Sequence, residues 1–127
     1  MRLRAISVFL FALVFSVPLL LAQNSLAVEP GPLTPEKAKI MMEQQKENLL
    51  ILDVRNPNEY ITVHYPGALN IPVNELQARL SEVPIDKPVL VHCALGIRAQ
   101  RGYEILKENR PDIKELYFIN GKTIFNE

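Results

Sequence analysis

Runs of apolar residues separated by helically spaced segments predict alternating strands and helices. The runs at 49–52 and 89–91 are continuously apolar, which is typical of parallel strands covered on both faces. A third run at 116–119 indicates a last strand, and residues 68–71 indicate a short one that Pro72 ends.

Helix signals lie between these strands. Thr34 as N-cap and Pro35 at the first position predict one helix start. A short helix is predicted over 59–63, another from Asn74 with Gln77 in a capping-box relation, and a long one over 98–109. The pattern predicts an α/β fold, a small central parallel sheet flanked by helices on both faces. Sites in such sheets lie beyond the carboxyl ends of the strands.

The first 27 residues have a separate pattern. Arg2 and Arg4 precede an uncharged apolar run over 5–22, and Ser25-Leu26-Ala27 follows. A positively charged start, an apolar middle and a small-x-small cleavage site predict a signal peptide over 1–27. We expect it to be removed on export, with the periplasm as the location of the mature protein. Cleavage after Ala22 and a membrane anchor through residues 5–22 are the alternatives. Residues 28–33, rich in Pro and Gly, are interpreted as a flexible lead-in.

Composition limits the function classes. The chain has 127 residues, with 14 basic and 14 acidic side chains, enough for one domain. Removal of residues 1–27 takes away two Arg and no acid, which leaves a mildly acidic domain. This balance predicts no nucleic-acid partner and no membrane contact after cleavage. A single Cys excludes an internal disulfide and a Cys-only metal cluster. No exposed apolar stripe in the sequence indicates a dimer, so a monomer is the default.

That single Cys marks the predicted site. Cys93 follows the strand at 89–92, and a helix begins a few residues later. Backbone N–H groups of such a loop, the helix dipole and the charge of Arg98 all stabilise a thiolate. Gly96 allows the loop to close. A buried core cysteine is the alternative interpretation, but this spacing favours a nucleophile held in an anion-binding loop.

Several segments together resemble a single-domain rhodanese, a sulfurtransferase-type domain. They are Leu52 to Tyr60, His64 to Pro72, Val91 to Arg98, and Asn120-Gly121, where the family usually has Gly-Gly. Phe125 stands where a Trp is common. The resemblance assigns residues 34–127 to this domain. Ala94 and Leu95 depart from it, because many family members carry polar or charged residues there.

The resemblance implies sulfur transfer without a metal or an organic cofactor. Cys93 would take a sulfane sulfur from a small donor such as thiosulfate, hold it as a persulfide and pass it to cyanide or a thiol acceptor. Substrate would bind to the loop formed by Ala94, Leu95, Gly96, Ile97 and Arg98. Asp53 and Arg55, just past a strand at the same sheet edge, are predicted to support the structure rather than to catalyse.

Two other functions remain open. The first is a non-enzymatic sulfur carrier or a binding module, although the presence of Cys93 argues against an inactive module. A phosphatase of the related cell-cycle type uses a loop one residue longer than the four residues between Cys93 and Arg98. His92 is expected to point away from Cys93 by strand alternation, and His64 to stabilise a turn.

Overall fold

A computed structural model describes residues 28–125, which form a parallel α/β sheet. The signal peptide predicted over 1–27 lies outside the described residues, as do residues 126–127. The sheet has five strands in the order β1-β5-β4-β2-β3, and every neighbouring pair is parallel. The strands are β1 (Gly31–Leu33), β2 (Leu50–Asp53), β3 (Leu69–Asn70), β4 (Val89–His92) and β5 (Leu116–Ile119).

Four helices connect these strands. They are α1 (Pro35–Gln44), α2 (Pro57–Thr62), α3 (Val73–Leu76) and α4 (Ile97–Asn109), and a 3-10 turn covers Leu80–Glu82. Thr34 caps α1 as predicted, because its hydroxyl accepts from the N–H of Lys37 at 3.3 Å. At the start of α2 the carboxylate of Glu59 accepts from the N–H of Asn56 at 3.0 Å. Among the described residues, no helix has the length and apolar character needed to span a bilayer.

Apolar side chains are buried on both faces of the sheet, which confirms the predicted α/β architecture. On one face α3 and α4 cover β2 and β4 through residues such as Leu76, Ala99 and Leu106. On the other face α1 covers β4 and β5 through Ala38 and Met41. All four residues of β4 are buried, because this strand is central and has helices above and below it.

Two local predictions were wrong. Within the lead-in predicted over 28–33, Gly31–Leu33 forms an edge strand paired with β5, since its backbone completes the hydrogen bonding of that strand. Helix α3 begins at Val73, after Pro72, rather than at Asn74. The side chain of Gln77 donates to Asn109 of α4 at 3.3 Å instead of capping α3.

The strand register brings the predicted site together at one edge. Asp53 ends β2 and His92 ends β4, and the two residues are directly paired across the strands. Cys93 and Val54 continue from these ends, so the loops after β2 and β4 leave the sheet side by side. This is the carboxyl edge where the sequence placed its candidate site.

Candidate active site

The thiol of Cys93 lies inside a loop that directs N–H groups toward it. Cys93 is 2% exposed, and its Sγ accepts from the N–H of Gly96 at 3.1 Å and of Ala99 at 3.2 Å. Helix α4 begins at Ile97, so the positive end of its dipole is at the same place. Convergent N–H groups at a helix N-terminus form a site for an anion. A thiolate or a persulfide anion at Cys93 fits that site.

Gly96 is the residue that closes this loop. Its φ of 104° lies in the left-handed region that favours glycine. A Cβ built at Gly96 would lie 2.7 Å from the backbone nitrogen of Gly121 and 3.3 Å from the carbonyl of Ile119. Both the backbone conformation and the close approach of the segment after β5 therefore require glycine here.

The opposite side of the loop is held by Thr123. Its hydroxyl donates to the carbonyl of Cys93 at 2.7 Å, and its N–H donates to the carbonyl of Ala94 at 3.1 Å. Thr123 is itself buried. Thr123 therefore fixes the backbone carbonyls of Cys93 and Ala94, the first two residues of the loop.

Arg98 forms an ion pair across the mouth of the site. Its Nη1 and Nη2 donate to the two carboxylate oxygens of Glu59 at 2.6 and 2.9 Å. These hydrogen bonds, together with the one from the Asn56 N–H, lower the pKa of Glu59 to about 2 against the opposing effect of burial. The side chains of Arg98 and Glu59 are about one third exposed. The charge of Arg98 is therefore partly neutralised but remains accessible to solvent.

Asp53 and Arg55 bond to each other beneath the loop. The carboxylate of Asp53 accepts from the backbone N–H, Nε and Nη2 of Arg55 at 2.6–3.1 Å, and Nη2 also donates to the carbonyl of Val63 at 2.6 Å. Burial raises the pKa of Asp53, but the charges and polar contacts of His92 and Arg55 outweigh it and hold that pKa well below its ordinary value. Both side chains are nearly fully buried.

The side chains around the loop opening are apolar. Leu95 is 67% exposed and Ile97 is 80% exposed, while Ala94 is half-buried. Single exposed apolar side chains are common on protein surfaces, but these two belong to the same loop as the thiol. The loop therefore offers apolar side chains and backbone N–H groups, with Arg98 as its cation.

The predicted residues come together, with three additions: Ala99, Glu59 and Thr123. Cys93, Ala94, Leu95, Gly96, Ile97 and Arg98 all belong to one loop and the first turn of α4. Ala99 donates to Sγ, yet the predicted set of N–H donors stopped at Arg98. Glu59 was not singled out, although its place three residues after the α2 cap was a signal for an oriented carboxylate. Thr123 offered no signal in the sequence.

The two histidines do not contact the thiol. Nδ1 of His64 donates to the carbonyl of Tyr60 at 2.7 Å, and the His64 ring stacks on the Tyr60 ring. His92 is fully buried, with Nδ1 3.1 Å from the hydroxyl of Thr123.

Phe125 lies over the guanidinium of Arg55 at 5.0 Å. Over residues 28–125 no three His, Cys, Asp or Glu side chains are grouped so as to hold a metal ion.

Comparison with known proteins supports the same interpretation. A family profile for the Rhodanese-like domain matches residues 34–122. YqhL, an uncharacterized protein of Bacillus subtilis (strain 168), is 38% identical over 56% of this chain and 55% of its own length. Thiosulfate sulfurtransferase GlpE of Coxiella burnetii (strain RSA 331 / Henzerling II) is 34% identical over 61% of this chain and 70% of its own.

A solved structure agrees in fold. The single domain sulfurtransferase RDL2 of Saccharomyces cerevisiae superposes with a TM-score of 0.57 and 25% identity, over 77% of this chain and 88% of that chain. This chain spans only about a third to three fifths of the length of the first four curated relatives that it matches. The profile match spans most of the chain, and on that ground this protein belongs to the rhodanese-like domain family.

Proposed function

We propose that this protein is a sulfurtransferase that carries a sulfane sulfur on Cys93. The observation that supports this most directly is the pair of N–H groups, from Gly96 and Ala99, that donate to Sγ. A buried cysteine in an ordinary core would have no need of two backbone donors at the start of a helix. The same donors would stabilise the anion of a Cys93 persulfide.

The proposed reaction has two displacements. In the first, the Cys93 thiolate attacks the outer sulfur of thiosulfate, a new S–S bond forms, and sulfite leaves with the electron pair of the broken S–S bond. In the second, cyanide or a thiolate attacks the outer sulfur of the persulfide, and the Cys93 thiolate leaves. Nucleophilic catalysis of this kind divides one transfer into two steps without oxidation or reduction by an outside reagent.

The loop residues have different parts in this proposal. Gly96 and Ala99 supply N–H groups, and Arg98 supplies the charge that meets an anionic donor. Ala94, Leu95 and Ile97 supply apolar contact at the opening. Since Glu59 already pairs with Arg98, we expect a high KM for thiosulfate, whose leaving group is strongly anionic.

Turnover with thiosulfate and cyanide tests the proposal. The full chain, purified in mild detergent because of residues 5–22, is expected to release thiocyanate, and Cys93→Ser is expected to release none. Glu82→Gln, on the exposed Arg79–Glu82 pair, is the matched surface control and should retain wild-type turnover. A folded protein without turnover on thiosulfate or any persulfide donor would contradict the enzyme proposal.

Intact mass separates the enzyme from a sulfur carrier. A persulfide adds about 32 Da, the mass of one sulfur atom, to the protein in a covalent intermediate. If that species forms and cyanide removes it only once, without repeated turnover, the chain is a carrier rather than an enzyme. No persulfide in any condition would contradict both.

We also propose that the protein acts after export, because residues 1–27 have the charge and apolar pattern of a signal peptide. Expression of the full chain in a bacterial host, followed by cell fractionation and N-terminal sequencing, tests this. A new N-terminus at Gln23 or Val28 in the periplasm is expected. An intact N-terminus in the membrane fraction would instead show the anchor.

A further inference from the structure

His92 is a buried polar residue directly behind the Cys93 loop. It is 0% exposed, and its two ring nitrogens face different groups. Nδ1 lies 3.1 Å from the hydroxyl of Thr123, and Nε2 lies 3.5 Å from Oδ2 of Asp53. Within residues 28–125, Nε2 has no hydrogen-bond partner. An unbonded buried polar atom calls for a physical explanation.

The hydroxyl of Thr123 determines the state of Nδ1. A threonine hydroxyl has one proton, and its 2.7 Å contact with the carbonyl of Cys93 uses that proton, because the carbonyl can only accept. The hydroxyl oxygen must therefore accept at its other contact. Nδ1 of His92 is then the donor, and this ring nitrogen carries a hydrogen.

The carboxylate of Asp53 determines the state of Nε2. If Nε2 were unprotonated, its lone pair would face a carboxylate oxygen inside the protein, where such a contact is strongly unfavourable. A proton on Nε2 turns the same contact into an attraction. With hydrogens on both nitrogens, the ring is an imidazolium.

The other groups around His92 are consistent with one added positive charge. Arg55 pairs with Asp53, so these two balance each other. The ring of Tyr65 packs edge-on against His92 with 5.0 Å between centroids, and burial raises the pKa of Tyr65 to about 12, so that phenol stays neutral. Cys93 is the next residue along the chain. The persulfide anion of the proposed reaction would form there, with the charge of His92 behind it.

We propose that His92 is a positioning residue held as an imidazolium at neutral pH. It donates from Nδ1 to Thr123, which fixes the carbonyl of Cys93, and it places a positive charge behind the loop that holds the sulfur anion. The purpose of this role rests on the proposed sulfur transfer. The protonation of His92 and the reactivity of Cys93 can both be measured without a sulfur donor, so they are tested separately from that function.

Nitrogen NMR of the full chain, labelled with ¹⁵N-histidine, tests the charge directly. The chain has two histidines, so His64→Gln assigns the His92 signals. At pH 7 we expect both ring nitrogens of His92 to give protonated shifts. A signal from an unprotonated ring nitrogen of His92 in the folded wild-type protein would overturn the proposal.

Alkylation of the single Cys by iodoacetamide tests the consequence. His92→Asn keeps a donor at the position of Nδ1, without the charge, whereas His92→Gln places its amide near Nε2 and loses the bond to Thr123. Since a nearby cation favours a thiolate, we expect alkylation at pH 7 to slow about tenfold in His92→Asn and further in His92→Gln. His64→Gln should alkylate at the wild-type rate.

Two results of this experiment would count against the proposal. Wild-type alkylation in a folded His92→Asn variant would show that the charge has no effect on Cys93. Equal slowing in His64→Gln would show that the effect does not come from this site. If the wild-type protein shows no sulfur transfer, but gives the expected NMR shifts and the His92 variants alkylate more slowly as expected, the proposed function is contradicted and the assignment of His92 remains supported.

Discussion

Two ion pairs adjoin the same edge of the sheet, and they differ mainly in burial. In the Asp53–Arg55 pair the side chains are 0% and 5% exposed, and in the Glu59–Arg98 pair they are 35% and 33% exposed. A buried charge that loses its partner has no water to replace it, whereas a half-exposed charge does. We therefore expect the first pair to determine stability and the second to determine how anionic substrates bind.

The largest effect on stability is expected from Asp53→Ala. It leaves the guanidinium of Arg55 buried without its carboxylate, which destabilises proteins by about 3–5 kcal/mol. The midpoint of urea unfolding measures the change. Glu82→Ala, in the exposed pair with Arg79, is the matched control and should change stability by about 0–1 kcal/mol.

The double variant Asp53→Leu with Arg55→Met separates burial from charge. Replacing a whole buried pair by apolar residues of similar size is often close to neutral. We expect it to recover only part of the stability lost in Asp53→Ala, because His92 also loses the carboxylate that faces its Nε2. If Asp53→Ala is no more destabilising than Glu82→Ala, the distinction between the two pairs is wrong.

The next effect is expected from Gly96→Ala. A left-handed backbone costs a non-glycine residue about 1–2 kcal/mol, and the added Cβ would also press on the backbone of Gly121. Since the loop must open, its donors move away from Sγ. We expect roughly 100-fold slower sulfur transfer, the scale seen when a donor is lost from an anion site.

Gly67→Ala is the matched control for that substitution. Gly67 has a φ of 75°, but a Cβ there meets no atom within 4 Å. Gly67→Ala should therefore lower the midpoint of urea unfolding, because of the left-handed backbone, but should lose little sulfur-transfer activity. Equal activity in the two variants would mean that the position of Gly96 does not matter to the thiol.

The two pairs should also differ in how their contribution to stability depends on pH. The folded-state pKa of both carboxyls lies below the ordinary value, so each pair contributes stability at higher pH that is lost as pH falls. For Glu59 the loss runs from 4.5 down to about 2, and for Asp53 it starts near 3.8 and continues lower. In thermal unfolding between pH 6 and 2, the melting temperature should therefore lose pH dependence from about pH 4.5 downward in Glu59→Gln, but only from near pH 3.8 downward in Asp53→Asn. The reverse order would contradict the assignment of these two pKa shifts to the two pairs.

The sequence predicted what depends on local pattern. Strands β2, β4 and β5 are short, continuously apolar runs, and the Cys93 loop follows the most buried of them, so the fold class and the position of the thiol could both be inferred. The cap at Thr34 was equally local. In each case neighbouring residues along the chain contain the information.

What the sequence did not predict depends on contacts between distant segments. Glu59 reaches Arg98 across 39 positions, and Thr123 reaches Cys93 across 30. Strand β1 forms because β5 offers an unpaired edge, which no property of residues 31–33 reveals. The roles of these residues required the three-dimensional arrangement.

The smallest effect on stability, and the one most informative about substrate, is expected from Glu59→Gln. The amide keeps the shape of the side chain but removes the charge that neutralises Arg98. Because both groups are one third exposed, we expect a stability change of about 0–1 kcal/mol. The guanidinium then meets an anionic donor unopposed, and KM for thiosulfate should fall about three- to tenfold, since a partly screened contact of this kind is worth ~1 kcal/mol.

Salt dependence distinguishes this explanation from a change in loop shape. A freed charge makes binding more sensitive to ionic strength, so KM in Glu59→Gln should rise more steeply with salt than in the wild type. Arg98→Gln removes the cation itself and should raise KM instead. If KM rises in Glu59→Gln as it does in Arg98→Gln, Glu59 holds Arg98 in its binding position, and the half-exposed pair is a structural support like the buried one.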